Sequence, residues 1–521
     1  MTMHTSISSR TRREFLRQSS HAAALIALGA VPSFAGQSET RFQANPFRSG
    51  IASGDPLPDG VVLWTRLDAS VLDRAGVTSL QVPVRWEVAE DDAFRRIVKK
   101  GSQLAIAELG HSVHAEVEGL RPGRHYWYRF MAGGEVSATG RTRTAPAANA
   151  ALDRFRFAFV SCQSYENGFF TAYRRIAEED LDLVVHLGDY IYETNTMGPE
   201  RATRLQEAPG ELFTLAQYRA RYAHYKTDLD LQAAHAGVPF VVTSDDHEVK
   251  NDYAGSLVPS GMSPEQFLER RAAAYQAYYE FMPLRRSAMP AGPSMRLYRR
   301  LRFGNLAEFH VLDTRQYRTG LPCGGGRKAL CAEALAPGQA MLGPEQEKWL
   351  LDGMRASPAR WNLLANQVMV SQFVQMASGT PVSPMDNWNG HVQERTRLMR
   401  FMAEARPANP VVMTGDIHSN WVADLRVNFD DPASQVVGTE LVGTSISTGG
   451  DGDESGRPEI LAVNPHIKYF SNRRGYVRCT VTPSSLVSDY RMLPYVSKPD
   501  APIETRATFV VENGKPGAVR N

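Results

Sequence analysis

Beyond about residue 155 the chain repeats one local pattern: a short apolar run, a polar tip, then a stretch with helical spacing. "FRFAFVSCQS" precedes a helix expected near Phe169–Glu179. "LDLVVHLGDYIYE" precedes one near Leu215–Ala236, and "VPFVVTSDDHE" one opened by Ser263 as cap and Pro264 in the first turn. "WNLLANQVMV" and "NPVVMTGDIHSNW" each follow a helical stretch, "GPEQEKWLLDGMRA" and Glu394–Ala405. Apolar runs of strand length belong in sheets covered on both faces. This rhythm therefore demands a layered α/β domain with mixed sheets flanked by helices, placed at residues 150–515.

Upstream the rhythm is different. "VVLWTRLD", "LQVPVRWEVAE" and "HSVHAEVEGL" are short strands parted by turns, and in "GLRPGRHYWYRFMAGG" Tyr126, Tyr128 and Phe130 alternate onto one face. Residues 42–145 thus read as an all-β sandwich of the fibronectin or immunoglobulin type. The Ala/Pro-rich "TAPAANAALD" is its linker to the α/β domain. Two domains also suit a chain of 521 residues.

Residues 1–35 carry Arg12 and Arg13 in "TRREFLR", an apolar run Ala22–Val31, and small residues Ser33 and Ala35. The run is too short to cross a bilayer. The segment reads as a twin-arginine signal peptide, engaging that export machinery and directing the protein to the periplasm or outside the cell. Its four arginines and one glutamate contribute +3 to a formal net charge of +2, leaving the remainder near −1. That balance asks for neither nucleic acid nor an anionic membrane, and no transmembrane segment is expected. Four cysteines occur. Cys323 and Cys331 bracket the glycine-rich "CGGGRKALC" and form the natural disulfide pair outside the cytoplasm; Cys479 sits in an alternating strand, and Cys162 is left over.

Sheet proteins of this kind carry chemistry at strand ends. The tips here are "SCQS", "GDYIYE", "SDDHE", "LDTRQYR", "ANQ" and "GDIHSNW". A lone acid or histidine at a strand end is commonly structural. Asp189, Asp246, His247, Asp416 and His418 are different, because each follows an apolar strand of the same domain. Gathered without compensation, such a cluster repels itself, and bound cations remove the problem.

These tips, with "VGTSIS" and the upstream "IASGDPLPDGVVLWTR", resemble the PhoD-type alkaline phosphatases, placed among the calcineurin-like metallophosphoesterases. The resemblance spans nearly the whole chain. It implies that Asp189 bridges two metals, that Tyr192 supplies a phenolate to Fe(III), and that Cys162 ligates the same iron. Asp246 stands where related enzymes carry Asn in G-N-H-E/D, and His247 follows it as a transition-state donor or a supporting group. Asp416 replaces the first His of G-H-x-H, and His418 retains the second. The implied cofactors are Fe(III) and Ca(II). Phenolate and thiolate suit a ferric ion, and trading His and Asn for Asp favours calcium over zinc. Asp245, Asn251 and Asn366 stay open as further calcium ligands. Arg315 is a candidate phosphoryl clamp, against a structural role of equal weight, and backbone N–H groups at the helix start after "SCQSYENG" are a candidate phosphate cradle.

The expected function is a secreted metal-dependent phosphoesterase acting on small phosphomonoesters and phosphodiesters through in-line attack by an activated water. A phospholipase-D-like phosphodiesterase is the alternative, to be judged by an apolar or cationic rim, with Met376–Asn389 as the segment that could supply it. A binding protein on an inactivated phosphatase fold is a third reading. It sits poorly with ligand positions that all retain metal-binding side chains.

Overall fold

The computed structural model describes residues 41–521 apart from 78–80, 196, 199 and 208–209. The expected signal segment lies outside the described residues. At the centre, Phe155–Val160, Leu183–His186 and Phe240–Val242 run parallel, with Val184 opposite Ala158 on one side and Phe240 on the other. A second sheet stacks Ala307–Val311, Trp361–Ala365, Pro410–Thr414 and Val436–Val442 in parallel. Each has antiparallel additions at its edges, giving sheets of ten and seven strands.

One face of each sheet meets the other. Phe157, Phe159, Val185 and Val241 pack with Phe309, Trp361, Leu363 and Met413 in one buried cluster. The opposite faces are covered by helices. Ala158, Val184 and Phe240 lie under Tyr218, Leu231 and Tyr278, from the helices Leu215–Tyr225, Leu229–Gly237 and Pro264–Phe281. Leu364 and Val412 lie under Leu350 and Met399, from Gly343–Ala356 and Val392–Ala405. Most strand residues are apolar because both of their faces are buried.

Local signals carry most of these elements. Ser263 accepts from the Gln266 N–H while the Gln266 side chain returns to the Ser263 N–H, a reciprocal capping box with Pro264 in the first turn. The helix expected over Leu215–Ala236 is two helices. Asp228 interrupts it by accepting from the amides of Asp230 and Leu231, starting a new helix with its own cap. Cys323 and Cys331 are bonded, with Cα atoms 5.9 Å apart.

In the N-terminal segment two sheets face each other. Val61, Leu63, Val113 and Val117 of one pack on Val84, Val88, Tyr128 and Phe130 of the other. The first of these sheets does not end with that segment. Ile51–Leu57 pairs in parallel with Phe240–Val242 through Gly54 and Phe240, so the N-terminal strands extend the ten-stranded central sheet. Gly54 is required there, since a Cβ would lie 2.4 Å from the Pro283 carbonyl oxygen. The next residue, Asp55, accepts two hydrogen bonds from Arg299 at 2.6 and 3.0 Å.

Candidate metal centre

The strand tips converge at one end of the stacked sheets, and the backbone there is bent. Cys162, Asp189, Asp416 and His418 all have positive φ, at 59°, 57°, 64° and 56°. Asp and His enter this region more readily than most residues, but Cys seldom does, so at Cys162 the surrounding structure imposes the turn. Two tips are laced together beyond their strands, as the amides of Cys162 and Gln163 donate to the carbonyls of Gly188 and Asp189 at 3.1 and 3.0 Å.

Three overlapping groups of donor atoms result, each with its members within 4.8 Å of one another: Cys162, Asp189 and His418; Asp189, Asp246 and His247; and Asp245, Asp246 and Asp416. Tyr192 joins the first. Its hydroxyl lies 3.1 Å from Asp189 Oδ2, 3.2 Å from His418 Nε2 and 2.8 Å from Thr448 Oγ1. Asp189 is common to the first two groups and Asp246 to the last two. A fourth group, Asp246, Asp252 and Asp386, adjoins them on the far side.

The electrostatics are those of a site built for cations. Burial, reinforced by neighbouring carboxylates, pushes Asp189 and Asp416 well above the carboxylate range. Burial also raises Asp245 to about 7 although Arg315 opposes it. Burial and the Asp189 charge raise the Cys162 thiol and the Tyr192 phenol. Burial together with Arg474 lowers His418 to about 3, leaving a neutral imidazole. Burial likewise opposes charge on Asp246 and His247, but Arg315 and His247 hold Asp246 low, and Asp246, Asp189 and Glu193 hold His247 high. Asp189 Oδ1 is buried without a hydrogen-bond partner among the described residues. A buried, unpartnered carboxylate oxygen between two ligand groups fits a metal ion.

Arg315 is wholly buried. Its guanidinium bonds Asp245 through Nε and Asp386 through Nη1 at 2.8 and 2.9 Å, while Nη2 faces Asp246 and Asp416 at 3.6 and 3.7 Å. It is thus ringed by carboxylates. Several amides between "SCQS" and the helix are already engaged within the fold. Those of Ser164, Tyr165 and Phe169 donate to Thr448 Oγ1, the Tyr225 hydroxyl and the Val496 carbonyl, and the helix begins only at Thr171. The Asn366 amide is bonded to Val368 O, Thr414 Oγ1 and Trp388 Nε1, and Asn251 is exposed. Asp245 falls within the donor group that holds Asp246 and Asp416.

Several contributors escape sequence reasoning. Glu248, the last letter of "SDDHE", is buried and accepts from the amides of Asp189, Tyr190 and Asp245 at 3.1, 2.6 and 2.8 Å, pinning two tips to each other. Asp386, in the segment singled out only as a rim, ties Arg315 to Arg318. Arg474 donates to the carbonyls of His418 and Thr448, holding the "GTSIS" loop against the site. Glu193 lies against His247 with its Oε2 2.6 Å from Nδ1. A carboxylate in a motif is visible in sequence, but its acceptor role depends on distant amides.

Two family models match the chain: PhoD-like phosphatase over residues 157–490, and its N-terminal domain over residues 33–146. The chain is 46% identical over 515 residues to alkaline phosphatase D of Bacillus subtilis (strain 168), covering 97% of this chain and 88% of that protein. Among solved structures it is similar to one described as the structure of PhoD, with a TM-score of 0.89 and 47% identity over 92% of this chain and 93% of the other.

Proposed function

The chain belongs to the PhoD-like phosphatase family and is a phosphoester hydrolase, and on that premise we propose that it works as a metal-dependent enzyme of calcineurin-like architecture. The observation that carries the metal dependence is the chain of largely buried donor groups linked through Asp189 and Asp246, with Asp189 Oδ1 lacking a hydrogen-bond partner among the described residues. Cys162, Asp189, Tyr192 and His418 offer thiolate, carboxylate, phenolate and neutral imidazole, a set suited to Fe(III). Asp245, Asp246 and Asp416, with Asp189 shared, offer hard oxygens suited to Ca(II). Bound ions of this kind supply an activated water and neutralise phosphoryl oxygens.

The chain's own residues do the rest. Arg315 keeps the carboxylates of Asp245, Asp246, Asp386 and Asp416 together by charge, and we assign it that role in preference to gripping phosphate. His247 lies against Tyr192, with the rings tilted and their centroids 4.2 Å apart, and its Nδ1 is on Glu193; its Nε2 is the hydrogen-bond donor to the reacting ester. Export by the twin-arginine route and small phosphomonoesters or phosphodiesters as substrates complete the reading. Among the described residues no helix is long and apolar enough to cross a membrane.

The first test is the elemental content of the dialysed protein, with Asp189→Asn beside it. About one iron with one or more calcium per chain is expected, and the variant should lose metal together with activity on the order of 10³-fold. Zinc alone would retire the ferric assignment of Cys162 and Tyr192. A folded protein without stoichiometric metal would overturn the metal-dependent reading altogether.

A further inference from the structure

Beside the metal centre runs a long loop with no apolar support of its own. Among the described residues, none from 319 to 340 belongs to the buried apolar clusters. Loops of that length usually serve a function. What shapes this one is the Cys323–Cys331 bond. Inside the ring Gly324, Gly325 and Gly326 have φ of 79°, 74° and 65°, and a Cβ on Gly324 or Gly326 would meet no atom within 4 Å. Unpacked glycines lose the most entropy on ordering, so closing the ring does much to define the backbone here.

The ordered ring in turn holds a second loop. Arg327 and Lys328 pair antiparallel with Pro384 and Ser383, and the Met385 amide donates to the Gly326 carbonyl at 2.8 Å. The next residue is Asp386. Its carboxylate takes Arg315 Nη1 at 2.8 and 2.9 Å together with Arg318 Nη2, and its carbonyl accepts Arg318 Nη1 at 2.6 Å. Arg315 bonds Asp245 and faces Asp246 and Asp416. A continuous run of bonds thus joins the disulfide to the oxygen donors through Gly326, Met385, Asp386 and Arg315. Both cysteines are only half-buried, within reach of a reductant.

We propose that the Cys323–Cys331 disulfide is a thiol-sensitive latch for the metal centre. Closed, it seats Asp386 on Arg315 and keeps the oxygen donors together; open, it lets residues 380–386 slacken and weakens the hold on calcium. This rests on the metal-dependent reading above. The reagent that opens it is a dithiol. One thiolate of the dithiol attacks a sulfur of the pair, and a mixed disulfide forms as the Cys323–Cys331 bond breaks. The second thiol then displaces that cysteine. Two electrons and two protons end on Cys323 and Cys331, and the dithiol leaves as its own disulfide.

The experiment measures phosphatase activity against buffered free calcium for the wild-type enzyme, before and after dithiothreitol. Cys323→Ser/Cys331→Ser, Asp386→Asn and the triple variant are measured beside it, with iron content and the thermal midpoint in chelator. Reduction of the wild type, or the double serine variant, should raise the free calcium needed for half-maximal activity roughly 10-fold. Saturating calcium should restore kcat, and the midpoint in chelator should move little. Dithiothreitol should do nothing further to the double serine variant, which separates opening of the latch from action on the metals. Asp386→Asn should raise the calcium requirement at least as far and leave nothing for the serine substitutions to add. An unchanged requirement after reduction verified by thiol count, additive effects in the triple variant, or an equal loss at every calcium concentration would overturn the proposal. Activity independent of calcium in every preparation would retire the calcium reading itself, an outcome distinct from a calcium-dependent enzyme that ignores reduction.

Discussion

At Gly188 the backbone has φ 114°, and a Cβ there would lie 2.4 Å from Asp245 Cβ and 2.5 Å from the Asp245 amide nitrogen. That absence of a side chain lets the Asp189 tip close onto the Asp245–Asp246 tip, where Glu248 ties the two through their amides. Gly188→Ala should therefore separate the donor groups sharing Asp189, at a cost of about 1–3 kcal/mol in backbone strain. Reduced metal content and a lowered thermal midpoint are the expected readouts, and a variant retaining full metal and activity would refute this account of the tip. The residue types at the tips were legible in the sequence, because Cys, Asp, Tyr and His after apolar strands are conspicuous. Gly188 was legible only as a letter of a motif, since its necessity comes from an atom 57 positions along the chain.

At the scale of elements, strands end in strained tips, and buried glutamates hold the ends in place. Glu440 accepts the amides of Val370 and Ser371 at 2.8 Å each and the Thr414 hydroxyl at 2.7 Å, bracing the strand that leads to Asp416. Glu394 binds the amides of Met341 and Leu342 in the same manner at the start of Gly343–Ala356. The strand Ile51–Leu57 is held by Arg299, which bonds Asp55 and the Val242 carbonyl and so links the N-terminal strands to the central sheet. Asp55→Ala leaves a largely buried guanidinium without its carboxylate, and a loss of about 3 kcal/mol in urea unfolding is expected. The N-terminal and central strands should unfold in one transition; two separated transitions in the wild-type protein would contradict the continuity of the sheet. Apolar periodicity foretold the strands and most helices. The split of the Leu215–Ala236 stretch was missed because Asp228 caps a new helix within a run that still looks helical.

Across the whole molecule, several histidines outside the donor groups are buried as neutral rings. His114 is stacked on Tyr279 at 4.3 Å with Nδ1 donating to the Leu284 carbonyl at 3.1 Å; burial lowers it to about 4 despite that bond. His310 and His391 are lowered to about 4 chiefly by burial as well. An unfolded histidine titrates near 6.5, so between about pH 6.5 and 4 the unfolded chain binds protons that the folded chain excludes. Stability from each such ring is fully present above 6.5 and falls as the pH drops through that window, by up to about 3 kcal/mol for His114. Thermal midpoints should decline from pH 7 to pH 5, and His114→Gln, which keeps a donor for Leu284, should flatten the decline. An unchanged slope in that variant would show that His114 is not among the groups that set acid lability.

By itself the sequence determined the chemistry and the layering: apolar strands covered on both faces, tips bearing thiol, phenol, imidazole and carboxylate, and a paired Cys323 and Cys331. Those follow from local composition and periodicity, which burial imposes on any strand whatever its neighbours. Only the tertiary structure decided which tip meets which. The order of strands in a sheet with crossovers brings Glu193 to His247 across 54 positions and Asp386 to Arg315 across 71. It also sets Gly54 beside Phe240, making the N-terminal strands part of the central sheet. Such contacts arise from long-range packing, and no nearest-neighbour pattern along the chain encodes them.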